Sequence, residues 1–205
     1  AIANVGDADG DGADDLAIFS PMEDSGGTDR GAVYLWRSPY PEYASLEDAW
    51  ARWTEIREGS GTVAAMADFD IAIVGDPSGD GDPDIIVTTG LGNSSEGGQA
   101  WYLPSQPGSG VTPVRAIGWQ IMKTGEDQWR QFGACDSAGD IDRDGIEDWI
   151  VSVRHLDGSV GLGEDEPGGP ITAADLPRRI AGGASSVSGG IDTNADGYDD
   201  FLIGG

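Results

Sequence analysis

Cysteine, histidine and lysine each occur once, at Cys135, His155 and Lys123. One cysteine forbids an internal disulfide, so stability has to come from a core and from bound metal. One histidine forbids a histidine pair, and no partners for a Ser-His-Asp triad are identifiable around it. His155 reads as a surface or loop-start residue, and Cys135, after Phe132-Gly133-Ala134, as a small buried side chain rather than a nucleophile. Bases are scarce too: 11 against 37 acids, for a formal charge of −26 and a pI near 4.1. That balance argues against nucleic acid as a partner, because phosphate binding needs a basic face. No apolar run approaches a membrane span, and no signal segment is recognisable. The 205 residues suffice for one domain with a sizeable core.

What is abundant is aspartate at fixed spacing. Asp140-Ile141-Asp142-Arg143-Asp144-Gly145-Ile146-Glu147-Asp148 places acids at the first, third, fifth and ninth positions of a nine-residue loop, with glycine sixth. Hard oxygens around one point on a sharply turning chain are what Ca²⁺ requires. The template recurs at residues 7–15, 76–84 and 192–200, with Asp always first, fifth and ninth and Gly always sixth. The candidate ligands are Asp7, Asp9, Asp11 and Asp15; Asp76, Ser78, Asp80 and Asp84; Asp140, Asp142, Asp144 and Asp148; and Asp192, Asn194, Asp196 and Asp200. The seventh position, Ala13, Asp82, Ile146 or Tyr198, would add a backbone carbonyl, since its side chain is not constrained. An EF-hand would need a bidentate Glu at the twelfth position, which here is Ile18, Val87, Val151 and Ile203, so that reading fails. An all-oxygen set disfavours zinc and copper, and Mg²⁺ prefers to keep its waters. Up to four Ca²⁺ are expected, tightest in the first and third loops, which carry one more carboxylate each. The acidity left over suits either a surface adapted to high salt or an acidic secreted protein.

The first aspartates lie 69, 64 and 52 residues apart, so the chain is an array of units of about 60 residues. Before each loop comes a short apolar or small-residue strand, Ile2 to Gly6, Ile71 to Gly75, Phe132 to Gly139 and Ser185 to Ile191. After it come Leu16-Ala17-Ile18-Phe19, Ile85-Ile86-Val87-Thr88, Trp149-Ile150-Val151 and Phe201-Leu202-Ile203, apolar on both faces and so buried between layers. A third strand follows from Gly31 and from Gly98; in the third unit it falls at Gly158 to Leu162 or at Pro170 to Thr172. Fourth strands are predicted near Thr54 to Arg57, Ala116 to Lys123 and Arg178 to Ala181. Ser45 to Trp53, with Leu46, Ala49, Trp50 and Trp53 at helical spacing after a possible N-cap, predicts a short helix between the third and fourth strands. Four strands per unit make a propeller blade.

Phe132-Gly133, then Gly139-Asp140, the loop, the apolar strand and the later strands at Gly31 and Gly98 together resemble the FG-GAP, integrin α-type, repeats. The resemblance covers nearly the whole chain, departing at Ser78, at Asn194 and in the Phe-Gly pair, which is clean only in the third unit. It implies an all-β fold: a β-propeller of four-stranded antiparallel blades, commonly seven, with Ca²⁺ loops between first and second strands. The expected layout is a single region over 1–205 with units of approximately 1–60, 61–127, 128–182 and 183–205, the first and last incomplete. The expectation is therefore two complete and two partial blades of a larger ring; the alternative is a closed four-bladed ring.

On function, the expectation is a non-enzymatic, Ca²⁺-stabilised recognition or adhesion module, extracellular or on a cell surface, with a protein or glycan ligand. Trp36, Trp50, Trp53, Trp101, Trp119 and Trp129 offer aromatic faces, though most suit the core. Two alternatives are the propeller of a polysaccharide-acting enzyme and a structural subunit that self-assembles through exposed blade edges.

Overall fold

The computed structural model describes residues 1–43, 45–56, 69–76, 81–90, 99–103, 110–114, 119–122, 131–154, 159–163, 171–172, 178–180 and 185–205. His155, Lys123, Trp129, Gly98, Gly158, Pro170, Ser78 and Asp80 lie outside them. Among the described residues the regular secondary structure is almost all β-strand. The first sheet runs β1 (Ile2–Asn4), β2 (Leu16–Ser20), β3 (Ala32–Trp36) and β4 (Ala51–Thr54), antiparallel throughout. The second joins β5 (Phe69–Ile73), β6 (Ile85–Thr89), β7 (Gln99–Leu103) and β9 (Trp119–Met122) in the same way. The third joins β10 (Gln131–Gly139), β11 (Asp148–Arg154), β12 (Ser159–Gly163) and β14 (Arg178–Ile180). A fourth holds β15 (Ser186–Ile191) and β16 (Asp200–Gly204).

The sheets stack as blades do, and the period of two along each strand explains how. On β6, Ile85 and Val87 enter a core shared with Phe19, Val33, Leu35 and Trp53 of the first sheet, while Ile86 points the other way, to Phe132, Trp149 and Val151 of the third. On β7 the division is Trp101 and Leu103 against Ala100 and Tyr102. On β11, Trp149 and Val151 face the second sheet, and Ile150 joins Ala138, Val187 and Phe201 toward the fourth. Each middle sheet is thus covered on both faces, which is why its strands lack the polar alternation of a half-exposed sheet. The first strands contact one another in turn, β1 with β5, β5 with β10 and β10 with β15, and so form the inner side of the array. This is part of a β-propeller, and it is open. No pairing among the described residues joins the β15–β16 sheet to the first sheet, which corrects the alternative of a closed four-bladed ring.

Two further expectations need correction. The helix over Ser45 to Trp53 is a single 3-10 turn, Leu46–Asp48, whose Asp48 carboxylate accepts the Ser45 N–H at 2.9 Å. Ala51 onward is strand: Trp53 is completely buried between the first two sheets, and pairing of β4 with β3 outweighs a helical spacing that only one turn can use. The fourth strand consequently lies earlier than predicted. In the third unit β12 is the third strand, and Ile171–Thr172 (β13) pairs instead with β9 of the sheet before, in parallel. The second unit does the same: Gly110–Pro113 (β8) lies in parallel along β4. The connection between third and fourth strands therefore straps the outer edge of the preceding sheet, covering an otherwise open row of backbone groups.

Candidate metal centre

Each loop begins where a first strand stops. Gly6, Gly75 and Gly139 sit at φ of 66°, 69° and 70°, a left-handed bend that L side chains rarely adopt. The loop closes on the same glycine, with Asp15 N–H donating to Gly6 O at 2.6 Å and Asp84 N–H to Gly75 O at 2.5 Å. The sixth-position glycines, Gly12, Gly81, Gly145 and Gly197, are left-handed as well, with φ from 86° to 97°.

Within the loops the carboxylates are held by amide donors in a repeated order. In the first, Asp7 accepts the N–H groups of Asp11 at 2.9 Å and Gly12 at 2.8 Å, Asp9 accepts Asp11 N–H at 3.1 Å, and Asp11 accepts Ala13 N–H at 2.8 Å. In the third, Asp140 accepts from Asp144 and Gly145, Asp142 from Asp144, and Asp144 from Ile146, at 2.8–3.1 Å. The fourth repeats this with Asp192, Asn194 and Asp196 as acceptors. In the second, Asp76 accepts Gly81 N–H at 2.8 Å; Ser78 and Asp80 fall outside the described residues. Asx-type bonds of this kind point the carboxylates inward before any ligand is considered.

The ninth position is the deepest. Asp15 and Asp84 are fully buried and Asp148 nearly so, each at the start of a second strand. Asp15 accepts Ala8 N–H at 3.1 Å and Ser38 N–H at 2.8 Å; Asp148 accepts Ile141 N–H at 3.0 Å, and Asp200 accepts Thr193 N–H at 2.9 Å. Asp84 accepts the Tyr102 hydroxyl. Burial pushes the Asp15 carboxyl above its ordinary value, against the Ser38 and Ala8 N–H groups. On the exposed fourth loop the Gly197 N–H holds Asp192 below the usual carboxylate range.

The structure brings together Asp7, Asp9 and Asp15, and separately Asp140, Asp142 and Asp148, with one carboxylate oxygen of each within 4.8 Å of the others in its group. The fifth-position acids Asp11 and Asp144 are outside these trios, their Oδ1 atoms turned to the seventh-position N–H. Three carboxylates so close, one of them buried, repel unless a cation or proton lies among them. The donor set is all oxygen and fits a hard divalent cation. Beside the first loop Arg37 Nε lies 3.1 Å from Asp9, its guanidinium 3.3 Å from the centre of the Trp50 ring. Sequence reasoning did not single out Arg37, Ser38 or Tyr102, because their partners are set by strand register rather than by spacing.

Cys135 is buried in the core between second and third sheets, and burial pushes its thiol well above its ordinary value, with Asp70 adding to the effect. Phe132 and Gly133 beside it have structural work: Phe132 is buried in the same core, and Gly133 O accepts the Thr88 hydroxyl from the neighbouring sheet at 2.5 Å.

The family model described as FG-GAP repeat matches residues 1–36, which span β1, the first loop, β2 and β3. Over these residues the chain is similar to an FG-GAP repeat. No curated protein matches it. The FG-GAP match contains Asp7, Asp9 and Asp15, so one of the two carboxylate trios lies inside the matched residues. No helix among the described residues is long and apolar enough to cross a membrane.

Proposed function

We propose that this propeller segment is a Ca²⁺-stabilised, non-enzymatic recognition module working outside the cell, where its ligand is a protein or a glycan. The observation that carries the reading is the pair of carboxylate trios, Asp7/Asp9/Asp15 and Asp140/Asp142/Asp148, each built on a loop whose amides already orient the acids. The first and third loops bind most tightly; the second and fourth, with Ser78 and Asn194 at the third position, bind more weakly. Extracellular modules of this ligand type hold Ca²⁺ at about 10⁻⁴ to 10⁻³ M, a concentration found outside cells. A cation bound only by the folded form raises stability with its free concentration. Isothermal titration after chelation tests the reading, with up to four sites expected and a melting temperature that climbs with added CaCl₂. No heat and no stabilisation at millimolar Ca²⁺ would remove it.

A further inference from the structure

The eighth residue of the second, third and fourth loops reaches across to the blade before it. Pro83 of the second loop stands over Gly6, where an added methyl would lie 3.7 Å from its ring; Glu147 of the third fills the space above Gly75, and Asp199 of the fourth the space above Gly139. The receiving glycine in every case is the left-handed residue that opens the preceding loop. Asp199 makes a further bond: its Oδ2 accepts the N–H of Asp140, the first residue of the third loop, at 3.1 Å. Arg143, fourth in the third loop, reaches back. Its Nε donates to Gly197 O at 2.5 Å, its Nη2 donates to Asp196 O, and its guanidinium lies 3.7 Å from the centre of the Tyr198 ring.

We propose that the third and fourth loops are a coupled pair, in which a cation held by the fourth raises the affinity of the third, with Asp199 and Arg143 as positioning residues. This rests on the reading of the loops as cation sites. Asp199 is no ligand itself, but it lies between Tyr198, whose carbonyl is the seventh-position donor, and Asp200, the ninth-position carboxylate. Ordering those two fixes Asp199, which then fixes the amide of Asp140 and adds negative charge beside the third loop. Arg143 ties the fifth- and sixth-position carbonyls of the fourth loop, and the ring of its seventh residue, to the third, so order in either is transmitted to the other. Linkage requires the effect to be reciprocal. The first and second loops meet through Pro83, a side chain that cannot accept a hydrogen bond, and are coupled less.

The test uses the full chain with the first two loops disabled by Asp7→Ala and Asp76→Ala, titrated calorimetrically with CaCl₂. Removing the fourth loop's first ligand by Asp192→Ala is expected to weaken the third loop by at least about five-fold. Asp199→Ala is expected to do the same while both sites still fill. Arg143→Lys carries the test where Asp199→Ala does not fold: it keeps the positive charge, whose loss would itself raise cation affinity, and removes the guanidinium's grip on two carbonyls. The Asp140 amide resonance gives a second readout, expected to shift as the fourth loop fills in a protein whose third loop is disabled by Asp142→Ala. Third-loop affinity unchanged in all three variants, with an unmoved Asp140 resonance, would overturn the coupling alone. No cation uptake by the parent would overturn the cation reading, and the coupling with it.

Discussion

The Tyr102 hydroxyl on β7 donates to the buried Oδ2 of Asp84, the ninth residue of the second loop. A fully buried carboxylate is costly unless hydrogen-bonded, and this bond comes from the neighbouring strand of the same sheet. Tyr102→Phe removes the donor and leaves the acid where it is. Hydrogen bonds to charged groups contribute about 1.5 to 3 kcal/mol, and that loss is expected in urea denaturation with chelator present. An unchanged midpoint would mean that the bond contributes nothing net.

Gly110 tests the strap along the first sheet. Its N–H donates to Trp50 O at 3.2 Å, and its φ of 112° is closed to proline. Gly110→Pro is expected to cost on the order of 1 to 3 kcal/mol and to bare the edge of β4, giving concentration-dependent association by light scattering. A monomeric, fully stable variant would show that the parallel pairing with β8 is dispensable.

Much of the array is legible in the sequence because its period is written twice, in the aspartate spacing of the loops and in the doubly apolar strands after them. Ile85-Ile86-Val87 reads as buried on both faces because both faces do meet other sheets. The strap at Gly110–Pro113 carries no such mark, since four residues paired only through backbone need no apolar alternation. Leu46, Ala49, Trp50 and Trp53 mislead for the opposite reason: their spacing suits a helix, but Trp53 gains more by filling the core between sheets. In the loops the fifth-position acids look equivalent to the others. Only the backbone path turns Asp11 and Asp144 toward the Ala13 and Ile146 amides.

Arg37 sets two expectations of opposite sign. Its guanidinium neutralises Asp9 and stacks on Trp50, so Arg37→Gln is expected to lower stability in chelator by about 0.5 to 1 kcal/mol, the size of an exposed cation–π contact. The same change removes a positive charge beside the first trio. At a separation of roughly 5 Å from a divalent ion that repulsion is about 1.7 kcal/mol even with the full screening of water, so cation affinity at the first loop should rise at least about ten-fold. Titration of a protein whose other loops are disabled measures it, and weaker binding in the variant would refute the electrostatic account.

Asp70 on β5 gives a pH dependence that no cation loop confounds. Its carboxylate accepts the N–H groups of Ile71 at 3.0 Å and of Cys135, across the sheet boundary, at 3.3 Å. Burial nevertheless pushes the carboxyl above its ordinary value; those two donors pull it back, and Asp136 on β10 pushes with the burial. Since the folded form holds this proton more tightly than the unfolded chain, the stability it lends is complete below the unfolded value, about 3.9, and is lost as pH rises through the folded value. Asp70→Asn cannot titrate, and its amide replaces only one of the two acceptors. A constant offset from the lost bond is therefore expected, and on it a relative gain by the variant as pH rises from about 4 toward 7. Urea denaturation in chelator at several pH values reads that slope. Parallel curves for the two proteins would place the Asp70 proton at its unfolded affinity and remove burial as the controlling influence on this carboxyl.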